Sequence, residues 1–351
     1  MRSLPGKREI GAELLGRGSL MGIARAQRNT IRILAYHRVL PGNCAEWCPV
    51  SPNFIFDDGV VSATSEAFRN QMGFVRRNFD VISFRDLYYI ESRGIGLPPR
   101  PLIITFDDGY RDNYTNAFPV LKEFGIPATI FVATGHIGSN TLFWWDLVAY
   151  CFKIAAPSEV LLEEVSVEPL CLGTLGGRRS AIDRVLKWMK RVPDEVRARF
   201  VERLPEVLGI TITPALGQGM HLGWDDIREM ADGGIEFGSH TVTHPVLSNV
   251  DDDQLEREVR DSKAVIEREL QKEVIAFSYP VGGHDNFDSR TVAAVTRAGY
   301  KYAASYVDGV ADCESIDRYA MPRIHVEADH SLNLFRAKLR FPGLMLRSAT
   351  L

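Results

Sequence analysis

Nowhere in its 351 residues does the sequence hold an uninterrupted apolar run long enough to span a bilayer. The opening segment, MRSLPGKREIGAELLGRGSLMGIARAQRNT, is basic and glycine-rich, but it lacks the apolar core and small-residue cleavage site of a secretory signal. These absences predict a cytoplasmic protein without a transmembrane segment. Residues 1–29 then form an N-terminal extension capable of no more than a weak, peripheral contact with the inner membrane face. An excess of one charge is missing too. Against 45 acidic residues stand 41 lysines and arginines, a net charge of −4, so no basic surface for nucleic acid is expected. Cysteine is sparse: Cys44, Cys48, Cys151, Cys171 and Cys313 form an odd set with no framework spacing. Cys44 and Cys48 are the only close pair, and nothing downstream completes a zinc ribbon. Free thiols in a reducing compartment are the expectation.

What is present is ordinary for a soluble globular chain, with 45% hydrophobic and 25% charged residues. A chain of this length buries a sizeable core without disulfides or structural metals, so any metal is expected to serve chemistry rather than folding.

Short apolar runs alternate with helical patterns. IRILAYHRV (31–39) reads as a buried strand, and residues 65–79 carry helical spacing with Phe68, Met72 and Val75 on one side. DVISF reads as the next strand. RPLIITF (100–106) is a continuous apolar strand, followed by a helix over 114–124 stopped by Gly125 and by the strand ATIFVATG. After Gly138 the rhythm changes. Residues 139–221 hold Trp144-Trp145-Asp146 on a helical stretch, a glycine-rich turn from Gly173 to Gly177, and a basic amphipathic segment over 180–208. The alternation resumes at about Trp224 with IEFGSHT, a helix over 251–271, EVIAFSYP, a helix over 288–298, YKYAASY and RIHV. The organisation is therefore one β/α domain over 30–138 and 222–340, a mostly helical insertion over 139–221, and a tail over 341–351. Strands alternating with helices predict parallel βαβ units; periodicity alone fits a barrel or an open doubly wound sheet.

Two constellations carry chemistry. Asp107 and Asp108, in TFDDGY, sit at the end of a buried strand, where β/α folds place active sites. Adjacent strand residues point to opposite faces, so both carboxylates serve one site only where the strand breaks into a loop; otherwise they cap the following helix. His240 and His244, in HTVTHP, follow another strand. Their spacing lets two imidazoles approach one ion, and Gly238 and Pro245 suggest a tight loop rather than a helix. One carboxylate and two imidazoles leave open coordination positions, and the second carboxylate is free for proton transfer. That set implies metal-assisted hydrolysis of an amide or ester. His37 is either a core residue or a strand-end group facing the site. Trp144 and Trp145 either stack on a sugar or anchor the insertion's core.

With TFDDGY at 105–110, HTVTHP at 240–245 and YHRV at 36–39, and looser matches in FSYPVGG at 277–283 and RIHV at 323–326, the sequence resembles the polysaccharide deacetylases. This is the NodB-homology domain of carbohydrate esterase family four. The resemblance covers roughly 30–140 and 222–330. It implies a NodB-type distorted (β/α) barrel of about seven parallel strands and hydrolytic N-deacetylation of an N-acetylated carbohydrate, whether a glycan, an oligosaccharide or a lipid- or nucleotide-linked precursor. Asp108, His240 and His244 are implied metal ligands and Asp107 the general base. The expected ion is zinc, with cobalt, nickel or manganese as alternatives. Val281 is the implied backbone donor to the oxyanion, and Tyr279, Pro280 and Trp145 are the expected substrate contacts. The family's third motif usually begins with an arginine that tunes the base, and Ser278 stands there instead; Arg323 and Arg111 are candidates for the missing charge. His325 is the implied general acid, although Pro322 departs from the family pattern, and His284 is the second choice. Rival readings are an O-deacetylase, a deformylase or other small-amide hydrolase on the same site, and a catalytically silent carbohydrate-binding protein.

Overall fold

Seven short strands, most of whose residues are buried, form the centre of the molecule: β1 (Thr30–Tyr36), β2 (Pro101–Phe106), β3 (Thr129–Val132), β4 (Glu236–Ser239), β5 (Ala276–Ser278), β6 (Tyr302–Asp308) and β7 (Met321–His325). Such runs lack inside–outside alternation because a parallel sheet is covered on both faces. In this computed structural model the described residues are 30–42, 54–313, 315 and 317–346. The extension over 1–29, the Cys44 and Cys48 pair and the end of the C-terminal tail lie outside them.

All seven strands are parallel and pair in chain order. β1 pairs with β2, from Arg32 opposite Leu102 to Tyr36 opposite Phe106, and also with β7, where Ala35 lies opposite His325. These two pairings close the sheet into a seven-stranded barrel. Helices flank it: α1 (Ser65–Asn78), α2 (Phe84–Ser92), α3 (Phe118–Phe124), then α4 (Trp144–Ile154), α5 (Leu175–Met189) and α6 (Asp194–Val207) of the insertion, followed by α7 (Trp224–Asp232), α8 (Asp252–Leu270), α9 (Ser289–Arg297) and α10 (Leu332–Arg340). α3 ends, as expected, at Gly125 in the left-handed region. Among the described residues no helix is long and apolar enough to cross a membrane.

Three local expectations need correction. The 31–39 strand breaks at His37: Arg38–Leu40 leaves the barrel and pairs with Val61–Thr64. DVISF pairs only at Asp80 and Val81, because Ser83 and Asp86 form a capping box that starts α2. The glycines at 176 and 177 lie in the first turn of α5 behind the Thr174 cap, not in a turn.

The insertion carries its own apolar cluster, in which Phe152, Val185, Met189, Phe200 and Leu204 are buried. It stands over the C-terminal end of the barrel, where all seven strands deliver their last residues.

Candidate active site and metal centre

Beyond Phe106 the ladder runs one residue further, with the Asp107 amide donating to the Tyr36 carbonyl at 2.9 Å. Asp108 then turns to φ 78° and Gly109 to φ 83°. This reversal is how two adjacent carboxylates come to face one cleft. The loop after β4 is equally contorted, with Thr241 at φ 70° and His244 at φ 58°. Among the described residues five non-glycines have positive φ, and four of them (Asp108, Thr241, His244 and Val281) surround this site. Each such residue costs about 1–3 kcal/mol, which the surrounding structure must offset.

The bonds that hold the histidine loop are specific. The buried Glu258 carboxylate, on α8, accepts the amides of Val242 at 2.7 Å and Thr243 at 2.9 Å, and also the Thr243 hydroxyl. The Thr241 hydroxyl accepts the His244 amide at 3.0 Å. His240 Nδ1 lies 2.7 Å from the Ser278 carbonyl. A carbonyl only accepts, so Nδ1 carries the proton and Nε2 presents a lone pair.

Both Nε2 atoms converge on Asp108 Oδ1, at 3.5 Å from His240 and 3.4 Å from His244. Bonds of about 2.1 Å in tetrahedral array place neighbouring ligand atoms roughly 3.4 Å apart, so the three groups match a divalent metal. Asp108 Oδ2 is buried without a hydrogen-bond partner, as expected of a carboxylate reserved for an ion. Burial pulls the His244 imidazole down to about 4, His240 adding to this against the opposing pull of Asp108, so the ring is neutral and ligand-competent at neutral pH.

Asp107 is held differently. Arg323, fully buried on β7, donates from Nη1 to Asp107 Oδ1 at 2.8 Å and from Nη2 to Oδ2 at 2.7 Å. Burial pushes the Asp107 carboxyl up, but the charge and hydrogen bonds of Arg323, with His240 and His37 nearby, outweigh it and leave the group below the usual carboxylate range. The barrel end thus carries one carboxylate grouped with two histidines and one ionised, arginine-clamped carboxylate side by side.

A family model of polysaccharide deacetylases matches residues 95–303, more than half of the chain. The chain belongs to the polysaccharide deacetylase family. This family comprises hydrolases acting on carbon–nitrogen bonds other than peptide bonds. Among relatives, YxkH of Bacillus subtilis is 24% identical over 236 residues, covering 67% of this chain and 55% of that protein. A Staphylococcus aureus poly-β-1,6-N-acetyl-D-glucosamine N-deacetylase is 28% identical over 130 residues, covering 35% of this chain and 42% of that protein. The chain thus spans about half the length of the curated relatives it matches. The Streptococcus pyogenes deacetylase PplD, solved in complex with acetate, shares the fold with a TM-score of 0.55 at 20% identity, over 86% of this chain and 94% of that one. IcaB from Ammonifex degensii does so at 0.53 and 16%, over 89% and 97%.

Not every residue that the family resemblance pointed to reaches the cleft. A cavity of about 370 Å³ is lined by Asp107, Asp108, His240, His244, Tyr279, Val281 and Trp145. Val281 holds φ 61°, unusual for a β-branched residue, and is followed by Gly282 at φ 57°, where a Cβ would lie 2.7 Å from the Tyr306 amide. Pro280 is not among the lining residues; its carbonyl accepts from Gly282 within the turn. His325, the expected general acid, is not among the lining residues. Its ring is stacked on Tyr306, with centroids 3.8 Å apart, and it is Tyr306 that faces the cavity. His284 is exposed and does not line the cavity either. His37 does line it, with Nε2 4.0 Å from Asp107 Oδ2, because the chain breaks from β1 there. Of the two arginine candidates, Arg111 lies at the surface 3.5 Å from Asp226, whereas Arg323 clamps Asp107.

The core reading of the tryptophans holds: Trp144 and Trp145 belong to the insertion's core, and both also reach the cavity. Trp145 stacks on Phe143, meets His244 edge-on at 4.4 Å, and donates its indole N–H to the Tyr110 hydroxyl at 2.8 Å. Sequence reasoning missed Glu258. A glutamate within an amphipathic helix gives no signal of its own; only the loop it grips reveals it.

Proposed function

We propose that this chain is a divalent-metal-dependent N-deacetylase of N-acetylated carbohydrate. The observation that carries the reading is the pairing of a three-ligand cluster, Asp108, His240 and His244, with an adjacent carboxylate that is not a ligand, Asp107. A purely binding protein needs no such second carboxylate. The N-deacetylase named among the relatives supports an N-acetyl sugar as substrate.

Asp108, His240 and His244 would hold the ion, which supplies Lewis-acid polarisation and a lowered water pKa when bound. Asp107 takes the proton of the attacking water, and Arg323 keeps its carboxylate ionised and oriented. The Val281 amide donates to the oxyanion that develops on the acetyl carbonyl, a contact stronger in the transition state than in the ground state. His37 protonates the departing sugar nitrogen. The ring of Trp145 and the phenol of Tyr279 flank the sugar.

The test compares acetate release from short N-acetylglucosamine oligomers, and metal content, for wild type, Asp107→Asn and Asp108→Asn. Asp107→Asn keeps the metal and loses about 10²–10⁴ in kcat, whereas Asp108→Asn loses the metal. A metal-loaded wild type that releases no acetate from these oligomers overturns the reading.

A further inference from the structure

One face of α5 has a role that the reaction centre does not explain. Asp183, Leu186, Lys187 and Lys190 recur at helical spacing and line the same cavity as Asp107 and His240. Ala181, Ile182, Val185 and Met189 occupy the opposite face, buried in the insertion's core. A polar stripe on an amphipathic helix is ordinarily a solvated surface; this one forms a wall of the cleft.

The insertion is tied to the histidine loop and to the segment that follows it. The Lys190 carbonyl, at the end of α5, accepts from Asn249 Nδ2 at 3.1 Å, and Asp194 at the start of α6 accepts from Gln254 at 2.9 Å. Arg197 donates to the His244 carbonyl at 3.3 Å and lies over the Trp144 ring at 5.0 Å. The insertion therefore holds α5 at a set position over the barrel end.

Its charges are not locked in close pairs, although Asp57 and Asp183 act on the Lys190 ammonium through space. Among the described residues, Asp183, Lys187 and Lys190 form no ion pair within 4.0 Å. Asp57, from the loop ahead of α1, joins them in the lining, with one carboxylate oxygen engaged by the Gly59 amide. Two carboxylates and two ammonium groups of no net charge suit a neutral, hydroxyl-rich ligand. Carboxylates accept from hydroxyls and ammonium groups donate to them, whereas an anionic group placed here would face both aspartates.

We propose that the helical insertion supplies a sugar-binding subsite, in which Asp183 and Lys187 of α5 and Lys190 at its C-cap, with Asp57, hydrogen-bond the hydroxyls of a neutral sugar unit adjoining the one deacetylated. This rests on the deacetylase reading and narrows it to neutral oligosaccharides, with recognition lying partly in the insertion.

The experiment measures calorimetric binding of N-acetylglucosamine monomer and trimer to metal-loaded Asp107→Asn protein, alone and combined with Asp183→Ala, Lys187→Ala or Lys187→Arg. Melting curves check that each variant is folded. Trimer affinity is expected to fall about tenfold with either alanine, by the loss of a hydrogen bond to a charged group, and the loss to grow from monomer to trimer. Lys187→Arg should restore part of it. Trimer binding unchanged in both alanine variants overturns the subsite, as does tighter binding of a sugar phosphate than of the neutral sugar that depends on Lys187 and improves in Asp183→Ala. Wild type that releases no acetate, while the alanine variants still lose trimer affinity, leaves the subsite standing and removes the deacetylase reading.

Discussion

Arg323 and Asp107, 216 positions apart in the chain, meet through two parallel hydrogen bonds of 2.8 and 2.7 Å at the end of the barrel. All five guanidinium donors are spent: the other three go to the Ser305 carbonyl at 2.8 Å and to the Thr105 and Ser278 hydroxyls, both at 3.1 Å. Ser278, standing where the family's arginine is expected, is thus an acceptor for an arginine brought from another strand.

Removing that arginine leaves a buried carboxylate unpaired. Arg323→Met is expected to lower stability by about 3–5 kcal/mol in urea unfolding. Arg323→Lys keeps the charge without the fork and should recover only part. In folded Arg323→Met the strongest pull opposing burial on the Asp107 carboxyl is gone and only His240 and His37 remain, so the acid limb of the kcat/KM profile moves to higher pH. An unmoved acid limb would separate Asp107 from the base role.

Glu258 touches no ligand, yet it holds the loop that presents both histidines. Glu258→Ala strips two backbone amides of their acceptor. Metal affinity, measured by chelator competition, should fall about 10–100-fold, the usual cost of losing a support behind a metal ligand. Unchanged affinity would mean the loop is held by its flanking strands instead.

Val281 carries a left-handed backbone that glycine adopts freely. Val281→Gly is expected to leave stability unchanged or raise it by up to about 1 kcal/mol, even though a side chain is removed. Its kcat should fall, because the amide is no longer held in one orientation. A large loss of stability would show that the side chain is retained for packing rather than for the amide it positions.

Asp146, fully buried at the start of α4, accepts from the Tyr110 hydroxyl at 2.6 Å and the Asp57 amide at 3.0 Å. Burial raises its carboxyl to about 7, against the opposing pull of Arg38 and these hydrogen bonds. A carboxyl raised on folding binds its proton more tightly in the native state. Its contribution is therefore complete below the ordinary carboxylate pKa and is lost as pH rises towards 7. Stability measured across that window should decline by a few kcal/mol, and Asp146→Asn should flatten the decline. An identical slope in wild type and variant would place the titration elsewhere.

The β/α rhythm, the position of the insertion and the two strand-end motifs were legible because each depends on local pattern: unbroken apolar runs, helical spacing, and carboxylates or histidines just past a strand. The failures were local competitions that pattern cannot weigh. DVISF has the composition of a strand, but the Ser83 capping box takes its second half into α2. The run through His37 is apolar enough to continue, yet Arg38 is drawn away from the barrel by Asp112, its Nε donating at 2.9 Å. His325 matched by position in a motif, but the stacking of its ring on Tyr306 decided where it lies.

By itself, then, the sequence determined where the seven barrel strands lie, that Asp107 and Asp108 leave one of them together, and that His240 and His244 leave another. Those properties reside within stretches of a few residues. Only the tertiary structure decided which cation neutralises Asp107, which histidine faces the cleft, and that α5 walls it. These depend on β1 pairing with both β2 and β7 to close the barrel, and on the insertion docking over its end. Contacts of that kind join residues far apart in the chain, and their energy depends on shape and burial that appear only once the chain has folded.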